Sequence, residues 1–512
     1  MRKIKRALIS VYDKTNLKKI LVFFKKLNIE VISSGGTFKE IKKLGFSCIE
    51  VSNYTNTLEI LEGRVKTLHP KIYAGILNKR NSKKHKKDMK INNYKQIDLV
   101  IVNFYPFEEI LNKTKDQNKI IENIDIGGPT MVRAAAKNYK DVTVITSETQ
   151  YDELIKNIQI NNGQTSLEFR KKMSLEAFSE TGYYDSLISN YFCSTLNLEF
   201  PKKKVIGLKL LQKLRYGENP HQRASLYKFV KNFDFKKLNG KELSYNNYND
   251  IFSALRISKS LPQNTGIVIV KHGNPCGVSI HKDKIESFKL AFKTDPISAY
   301  GGIVSCNFKI NKKLAEELNK KFFEVIIGKG FENKALRILI KKKNVRIIDS
   351  SKMQKFSDFR FVSNEGSVLL QTSDEDKFQN KHFKVVSKTK PNSQTLKNLI
   401  FAFNICRFVK SNAIVLTNKN TTLGIGSGQP SRLDSCELAI NKMNKFHKFQ
   451  NEEIFAASDA FFPFTDGIEK LVQSGISAVV QPAGSIRDKE IIKFANSTDT
   501  ILVFSKTRHF RH

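Results

Sequence analysis

The chain has no tryptophan, 12 prolines and six cysteines in 512 residues. Cys48, Cys193, Cys276, Cys306, Cys406 and Cys436 are widely scattered and none stands in a CxxC pair. That excludes a disulfide framework and points to reduced thiols in a cytosolic protein. No apolar run reaches the roughly 18 residues of a membrane-crossing helix, which excludes a helical membrane protein. The apolar stretch behind the basic N-terminus runs only from Ala7 to Val11 before Asp13 and Lys14, too short for a signal peptide. No repeat shows at periods of roughly 20–50 residues, and no segment is of low complexity. Acidic residues are scarce: 49 Asp and Glu stand against 87 Lys and Arg, a formal charge of +38.

What is there describes a globular chain. Hydrophobic residues make up 40%, with 37 Phe and 15 Tyr, so disorder is excluded as the main state. The length suits about three folding units, or two large ones, at ~100–200 residues each. The basic excess favours anionic partners. It spreads from Lys3 to Arg511, with local runs at Lys79–Lys90 and Lys341–Lys343. A nucleic-acid binder concentrates such charge on one element, so compositional drift with anionic small substrates is the preferred reading.

The first 150 residues alternate strand and helix. Arg6–Val11, Glu30–Ser33, Asp98–Phe104 and Asp141–Ile145 read as strands. Leu17, Ile20, Leu21, Phe24 and Leu27 recur at helical spacing, and Phe38–Leu44 and Pro129–Asn138 read as helices. Such alternation implies a parallel sheet, whose ligands sit beyond the carboxyl ends of its strands. Residues 151–196 read as helical. Pro201 and the run Lys202–Lys204 mark a domain boundary. The second part again mixes strands, at 266–270, 478–481 and 500–504, with helices.

Several motifs could carry chemistry. Ser33-Ser34-Gly35-Gly36-Thr37 follows a strand and would let backbone amides approach an anion, although such a turn can need glycine for steric reasons alone. Glu62–Pro70 (EGRVKTLHP) places two cations and a hydroxyl in one loop, and a solvated loop would look similar. Asp125, before Gly127-Gly128-Pro129, stands at a helix start, and Arg133 and Lys137 share one helix face. Tyr105 ends a buried strand as packing or proton donor. In the second part, Arg215–Gln222 (RYGENPHQ) is dense in polar and turn residues. Lys271-His272 closes a strand, where a His beside a cation can act as a general base, or simply form a turn. A zinc deaminase would need His-x-Glu and Pro-Cys-x-x-Cys; position 274 is Asn and position 279 Ser, so a metal is not expected. Gly424–Arg432 reads as a glycine-rich loop and lacks the third glycine of a dinucleotide fingerprint. Ser458–Phe464 sets aromatic residues around Asp459. The tail ends Arg508-His509-Phe510-Arg511-His512.

Ten segments of the chain occur in the order found in one family. They are SVYDKT, SSGGT, EGRVKTLHPK, IDIGGPTMVRAAAKN, LRYGENPHQ, KHGNPCG, SNAIV, GIGSGQPSR, SDAFFPF and RHFRH. Over essentially the whole chain the sequence resembles the bifunctional enzymes of purine biosynthesis that join an AICAR transformylase to an IMP cyclohydrolase. The resemblance implies an α/β protein. Residues 1–199 would be an IMP cyclohydrolase domain, a parallel-sheet domain similar to methylglyoxal synthase. Residues 200–512 would be an AICAR transformylase domain of two cytidine deaminase-like subdomains without their zinc. It implies formyl transfer from 10-formyltetrahydrofolate, as co-substrate, to AICAR, then dehydrative closure of FAICAR to IMP. It also implies a cytoplasmic homodimer with nucleotide and folate as small-molecule partners, and neither membrane nor specific nucleic acid.

By the same resemblance Lys66 polarises the formyl oxygen in the cyclohydrolase, and Tyr105, Asp125 and Lys137 move protons. Ser10, Lys14, Ser34, Gly36, Thr37, Arg64, Thr67, Asn103 and Gly127 hold the nucleotide. In the transformylase, His272 is the base, Lys271 stabilises developing charge and Asn412 orients the formyl group. Arg215, Tyr216, Arg432, Asp459 and Arg508 bind AICAR, with Phe510 stacking nearby. The chain departs from the family pattern at Tyr12, Ser34, Gly273 and Tyr139, where Ser, Thr, Ala and His are common, and none of these removes a catalytic group. A basic nucleic-acid-binding protein on the same scaffold is the competing class, and it leaves KHGNPCG and IDIGG unexplained.

Overall fold

Leu99–Asn103 reads LVIVN, and its first four residues are buried. A β-branched run without alternation needs cover on both faces, which only an interior strand of a parallel sheet receives. The computed structural model, which describes residues 3–229, 235–353, 359–375, 378–448 and 452–512, puts it there. Strands β1 (Arg6–Val11), β2 (Glu30–Ser33), β3 (Ile49–Glu50), β4 (Leu99–Asn103) and β5 (Thr143–Ile145) form one sheet in the order β3-β2-β1-β4-β5. Every pairing is parallel.

The helices around it follow their apolar spacing. In Leu17–Lys26, Leu17, Ile20, Leu21 and Phe24 are buried while Lys25 and Lys26 close the last turn, where cations suit the helix dipole. Two helices begin earlier than the sequence suggests. One runs Gly35–Lys43 and the other Gly127–Lys137, so each double glycine forms the first turn of a helix. The helical stretch after residue 150 is two helices, Tyr151–Ile160 and Leu167–Thr195. Asn162 and Gly163 between them have φ of 53° and 87°. Left-handed residues end a helix because they turn its backbone aside.

The chain divides into two compact units, Met1–Lys209 and Leu210–His512; the sequence pattern drew its boundary at 199/200. Into the second unit leads β6 (Lys209–Leu214), which pairs with β7 (Ala224–Lys228). There follow β8 (Lys236–Asn239), β9 (Gly266–Lys271), β10 (Asn274–Ile280), β11 (Ile303–Cys306), β12 (Val325–Gly328) and β13 (Arg346–Asp349). A hairpin comes next, β14 (Phe359–Asn364) and β15 (Ser367–Thr372). Then come β16 (Phe383–Val385), β17 (Ile414–Asn418), β18 (Thr421–Gly426), β19 (Ile454–Ser458), β20 (Ile476–Pro482) and β21 (Ile501–Ser505).

Among the described residues twelve strands form one sheet, ordered β16-β21-β20-β19-β17-β18-β10-β9-β11-β12-β13-β8. Read from its two ends, the order is the same path walked twice. The halves meet where β10 and β18 pair antiparallel at Ser279 and Thr421. Hydroxyls seal that seam: Ser279 and Thr421 bond at 2.9 Å, and Thr422 Oγ1 accepts the Val278 amide at 2.8 Å. One face carries a core shared by both halves, with Val268, Val270, Val415 and Phe455 under the helices Tyr245–Ser260 and Ser393–Cys406. The other face carries a separate core for each half.

The glycine-rich loop expected at 424–432 is partly strand. Gly424 and Gly426 lie in β18, where a Cβ would come within 2.1 Å of the Ala439 carbonyl oxygen and 1.9 Å of that of Ser435. Gly277 in β10 stands 1.9 Å, by the same measure, from the Ala291 oxygen. These glycines let a helix pack directly on a strand.

Candidate active sites

In the first unit the loops leaving β1, β2 and β4 are tied into one surface. Asn103, the last residue of β4, accepts the Tyr12 and Asp13 amides at 2.6 and 3.1 Å and donates to the Asp13 carbonyl at 2.9 Å. Thr37 Oγ1 accepts the Val11 amide at 3.0 Å and donates to its carbonyl at 2.9 Å. Ser34 precedes the helix Gly35–Lys43 in extended conformation without capping it. Its hydroxyl and the amides of Gly35, Gly36 and Thr37 form the kind of helix start that suits an anion. Ser10 lies half-buried in β1 just before this junction, and Lys14 turns back to the Tyr12 carbonyl at 3.1 Å.

The EGRVKTLHP loop reaches the same place. A Cβ on Gly35 would stand 3.4 Å from Lys66 Nζ, and one on Gly127 would stand 2.8 Å from Thr67 Oγ1. Lys66 Nζ pairs with Glu59 at 3.0 Å. Arg64 pairs with Glu122 on the exposed surface. Asp125 Oδ1 accepts the Gly128 amide at 2.9 Å, while the Asp125 amide donates to the Tyr184 hydroxyl at 2.8 Å. Burial pushes the Asp125 carboxyl above the usual range, against the amides of Gly128 and Tyr105, which favour its charge. Tyr105 is 44% exposed, with its ring edge-on to Tyr12 at 5.8 Å. Thus Thr37, Lys66, Thr67, Asn103, Tyr105, Asp125 and Gly127 come together. Lys137 does not join them: it is exposed at the far end of the helix Gly127–Lys137, roughly 15 Å along the axis at ~1.5 Å per residue.

Tyr73 escaped the sequence reading. It lies in the helix Pro70–Leu77, just beyond the KTLHP stretch. Its hydroxyl oxygen is buried without a hydrogen-bond partner, with Thr130 close but short of bonding geometry. Burial, reinforced by the charge of Asp125, pushes the phenol up to about 12.

In the second unit His272 and Gly273 are the two turn residues joining β9 to β10, where Asn274 pairs with Lys271. Both have positive φ, 54° and 75°. A two-residue hairpin with both φ positive is a type I′ turn, which Asn and Gly fill readily and His does not. Asp250 holds the turn, accepting the His272 amide at 3.1 Å and the Gly273 amide at 2.6 Å. Lys271 Nζ reaches the Tyr300 carbonyl at 2.8 Å.

From that turn a chain of hydrogen bonds runs through the other candidates. Ser253 Oγ donates to the Gly273 carbonyl at 3.2 Å and accepts from Arg511 at 2.7 Å. The Arg511 amide donates to Ser411 Oγ at 3.1 Å, and Ser411 Oγ donates to Asp459 at 2.5 Å. Arg432 completes the set, reaching Asp459 at 2.5 Å, Ser458 at 2.8 Å and Asn412 Oδ1 at 2.8 Å. Asp459 is 0% exposed, so the Arg432 charge is what keeps its burial tolerable. Asn412 spends both amide hydrogens, on the carbonyls of Gln429 at 3.0 Å and Pro430 at 2.8 Å. With Oδ1 accepting from Arg432, that bonding fixes the amide in one orientation.

Arg508 lies over the Phe510 ring at 4.7 Å. Arg215 lies over Tyr216 at 5.7 Å in the loop after β6, where Asn246 anchors the Glu218 carbonyl at 3.2 Å. Among the described residues no hydrogen bond links Arg215 or Tyr216 to the Asp250–Asp459 chain. Asp250 and Ser253 escaped the sequence reading, and Ser411 and Arg511 stood in its motifs without a role. The unfavourable His in a tight turn was the signal that something must hold it. Among the described residues no group of three or more His, Cys, Asp or Glu is placed to hold a metal ion.

Fold and comparisons together define an α/β enzyme built of two units. Residues 16–130 match the model of the MGS-like domain, and residues 135–442 match that of the AICARFT/IMPCHase bienzyme. The chain belongs to the AICARFT/IMPCHase bienzyme family. It is 45% identical to the bifunctional purine biosynthesis protein PurH of Leptospira biflexa, over 100% of both chains. It is 43% identical to the protein so named from Aquifex aeolicus, over 99% of this chain and 100% of that one. The same name, identity and coverage hold for the Caldicellulosiruptor saccharolyticus protein. The solved structure titled "Crystal structure of ForH" overlays 37% of this chain and 99% of its own at 28% identity, with a TM-score of 0.34. The chain is therefore a bifunctional enzyme of purine biosynthesis, an AICAR formyltransferase using a formyl-folate co-substrate and an IMP cyclohydrolase, the last two steps to IMP.

Proposed function

We propose that the first unit closes FAICAR to IMP and the second transfers the formyl group, each with the residues brought together above. In the first unit, Ser34, the amides at the start of the helix Gly35–Lys43, Thr37 and Thr67 hold the phosphate, with Ser10, Lys14 and Arg64 at its rim. Lys66 Nζ polarises the formyl oxygen. Asp125, poised by burial to exchange a proton, and Tyr105 serve the attacking amide and the departing water. Asn103 and Gly127 shape the pocket floor. Ring closure is intramolecular, so positioning and charge stabilisation supply most of the rate. Lys137, at the exposed end of the helix Gly127–Lys137, is the remaining candidate to move a proton.

In the second unit His272 removes the proton from the AICAR amine as it attacks the formyl carbon, Lys271 stabilises the oxyanion, and collapse breaks the bond from the formyl carbon to the donor's nitrogen, which takes the proton back from His272. Asn412, fixed by Arg432 and by the carbonyls of Gln429 and Pro430, orients the formyl group. Arg432 and Asp459 hold Asn412, and Arg215, Tyr216, Arg508 and Phe510 receive AICAR. No step is routed through a metal. The hairpin β14–β15 exposes Val362, Val368 and Leu369, which supports a homodimer, and six unpaired cysteines suit a cytoplasmic setting.

The observation that carries the reading is the bonded chain from the His272 turn through Ser253, Arg511 and Ser411 to Asp459. A time course with AICAR and 10-formyltetrahydrofolate, resolving FAICAR from IMP, tests it. Lys66→Ala should accumulate FAICAR. His272→Ala should stop AICAR consumption and still close added FAICAR. Either variant impairing the opposite step would refute the division of labour.

A further inference from the structure

The formyl-transfer residues come from both halves of the twelve-stranded sheet. Lys271 and His272 stand at the turn from β9 to β10, in the first half. Asn412 stands just before β17 and Asp459 just after β19, in the second. The rate then depends on how the halves are set against each other at this end of the seam, since an error of about 1 Å can cost about 10²-fold.

Backbone pairing does not set it there. Among the described residues β10 and β18 pair at one position, Ser279 with Thr421. One residue nearer the His272 turn, the Val278 amide already bonds the Thr422 hydroxyl in place of a carbonyl. Asn274, the first residue of β10, lies about 17 Å along the strand from Ser279 at ~3.4 Å per residue.

Asn274 bridges the halves at that far end. Its backbone pairs with Lys271 across the turn that carries His272. Its side-chain Oδ1 accepts the Lys410 amide, from the other half, at 2.9 Å. Lys410 stands two residues before Asn412. The Lys410 carbonyl accepts the Gly428 amide at 2.8 Å, and the Asn412 amide donates to the Gln429 carbonyl at 3.2 Å. Asn274 thus grips the segment that bears Asn412, and that segment is stitched in turn to the loop before Arg432. A second bond crosses nearby, from Arg511 to Ser253 at 2.7 Å, and Ser253 holds the Gly273 carbonyl. Losing Asn274 leaves that bond, so the halves stay joined and lose only their setting.

We propose that Asn274 is a positioning residue for formyl transfer, which fixes His272 against Asn412 by holding the Lys410 amide. The proposal rests on the second unit transferring the formyl group with His272 as base. Asn274 exchanges no proton; its part is the acceptor it offers across the seam.

The test measures kcat and KM of formyl transfer on the full chain with AICAR and 10-formyltetrahydrofolate. Asn274→Ala should lower kcat about 10- to 100-fold and leave the AICAR KM within about twofold. Asn274→Leu keeps the volume without the acceptor and should match it. Asn274→Asp keeps an acceptor in the same place and should recover most of the rate. In a His272→Ala background Asn274→Ala should cost little more, because residues that act as a unit are not additive. Closure of added FAICAR should be unchanged throughout. Wild-type kcat in Asn274→Ala and Asn274→Leu would overturn the proposal. So would the full loss persisting in the His272→Ala background, which would mark a general loosening of the fold. Asn274→Asp as slow as Asn274→Ala would give the role to the Nδ2 donor and equally overturn it. His272→Ala with the wild-type rate would instead sink the reading of His272 as the base.

Discussion

Asp250 accepts both amides of the turn that carries His272, at 3.1 Å from His272 and 2.6 Å from Gly273. A left-handed His costs on the order of 1 kcal/mol, and the carboxylate offsets that while aiming the imidazole. Asp250→Ala should therefore lower kcat for formyl transfer by about 10- to 100-fold, in line with losses for a misplaced base. Asp250→Asn retains one acceptor and should recover part of the rate. A purely structural role would instead lower thermal stability in both variants and leave the kcat of the folded fraction unchanged, which calorimetry beside kinetics resolves.

Asp125 makes opposite demands on stability and activity. Its folded pKa is raised, chiefly by burial. Between the unfolded and folded values the native state binds more protons, so stability falls as pH rises through that window. Asp125→Asn should be more stable than the wild type at neutral pH and should close FAICAR about 10²- to 10⁴-fold more slowly. Unfolding curves at acid and neutral pH, with a closure assay, check both.

Tyr73 buries a hydroxyl without a partner. Leaving such a group unsatisfied costs about 1–3 kcal/mol. Tyr73→Phe removes the cost and almost no volume, so the melting temperature of the first unit should rise by about 2–4 °C per kcal/mol gained. A fall in melting temperature would show that the hydroxyl is bonded.

His447 lies in neither site, yet it should dominate part of the acid response. Burial, with Lys293 adding to it, depresses the imidazole to about 4 from 6.5. The unfolded chain takes up the proton first as pH falls below 6.5, so stability is lost between about 6.5 and 4. His447→Gln should flatten the stability of the second unit across that window, as chemical denaturation at several pH values would show.

Local order in this protein was legible from the chain alone. β1, β2, β4 and β5 follow from short apolar β-branched runs, and the helix Leu17–Lys26 from its 3.6-residue spacing. The segments carrying Lys66, Asp125 and His272 were legible as candidates, because each is polar and turn-forming, whereas Asn412 entered only through the family resemblance. Boundaries shifted where glycine was involved: Gly35 and Gly127 start helices, and Gly424 and Gly426 pack a helix onto β18. Composition cannot separate these uses of glycine, since what decides is the nearest backbone from elsewhere in the chain.

Tertiary structure decided which residues meet. Asp250 reaches His272 across 22 positions and Arg511 reaches Ser253 across 258, separations no periodicity encodes. It parted Lys137 from Asp125, because a helix between two residues fixes their distance whatever their chemistry. It also set Asn412 as an acceptor, by spending both its donors on backbone carbonyls. The sequence determined the inventory of reactive groups and the elements that bear them, because those depend on neighbours along the chain. Their partners, burial and protonation depend on groups brought from far away, and only the folded chain supplies those.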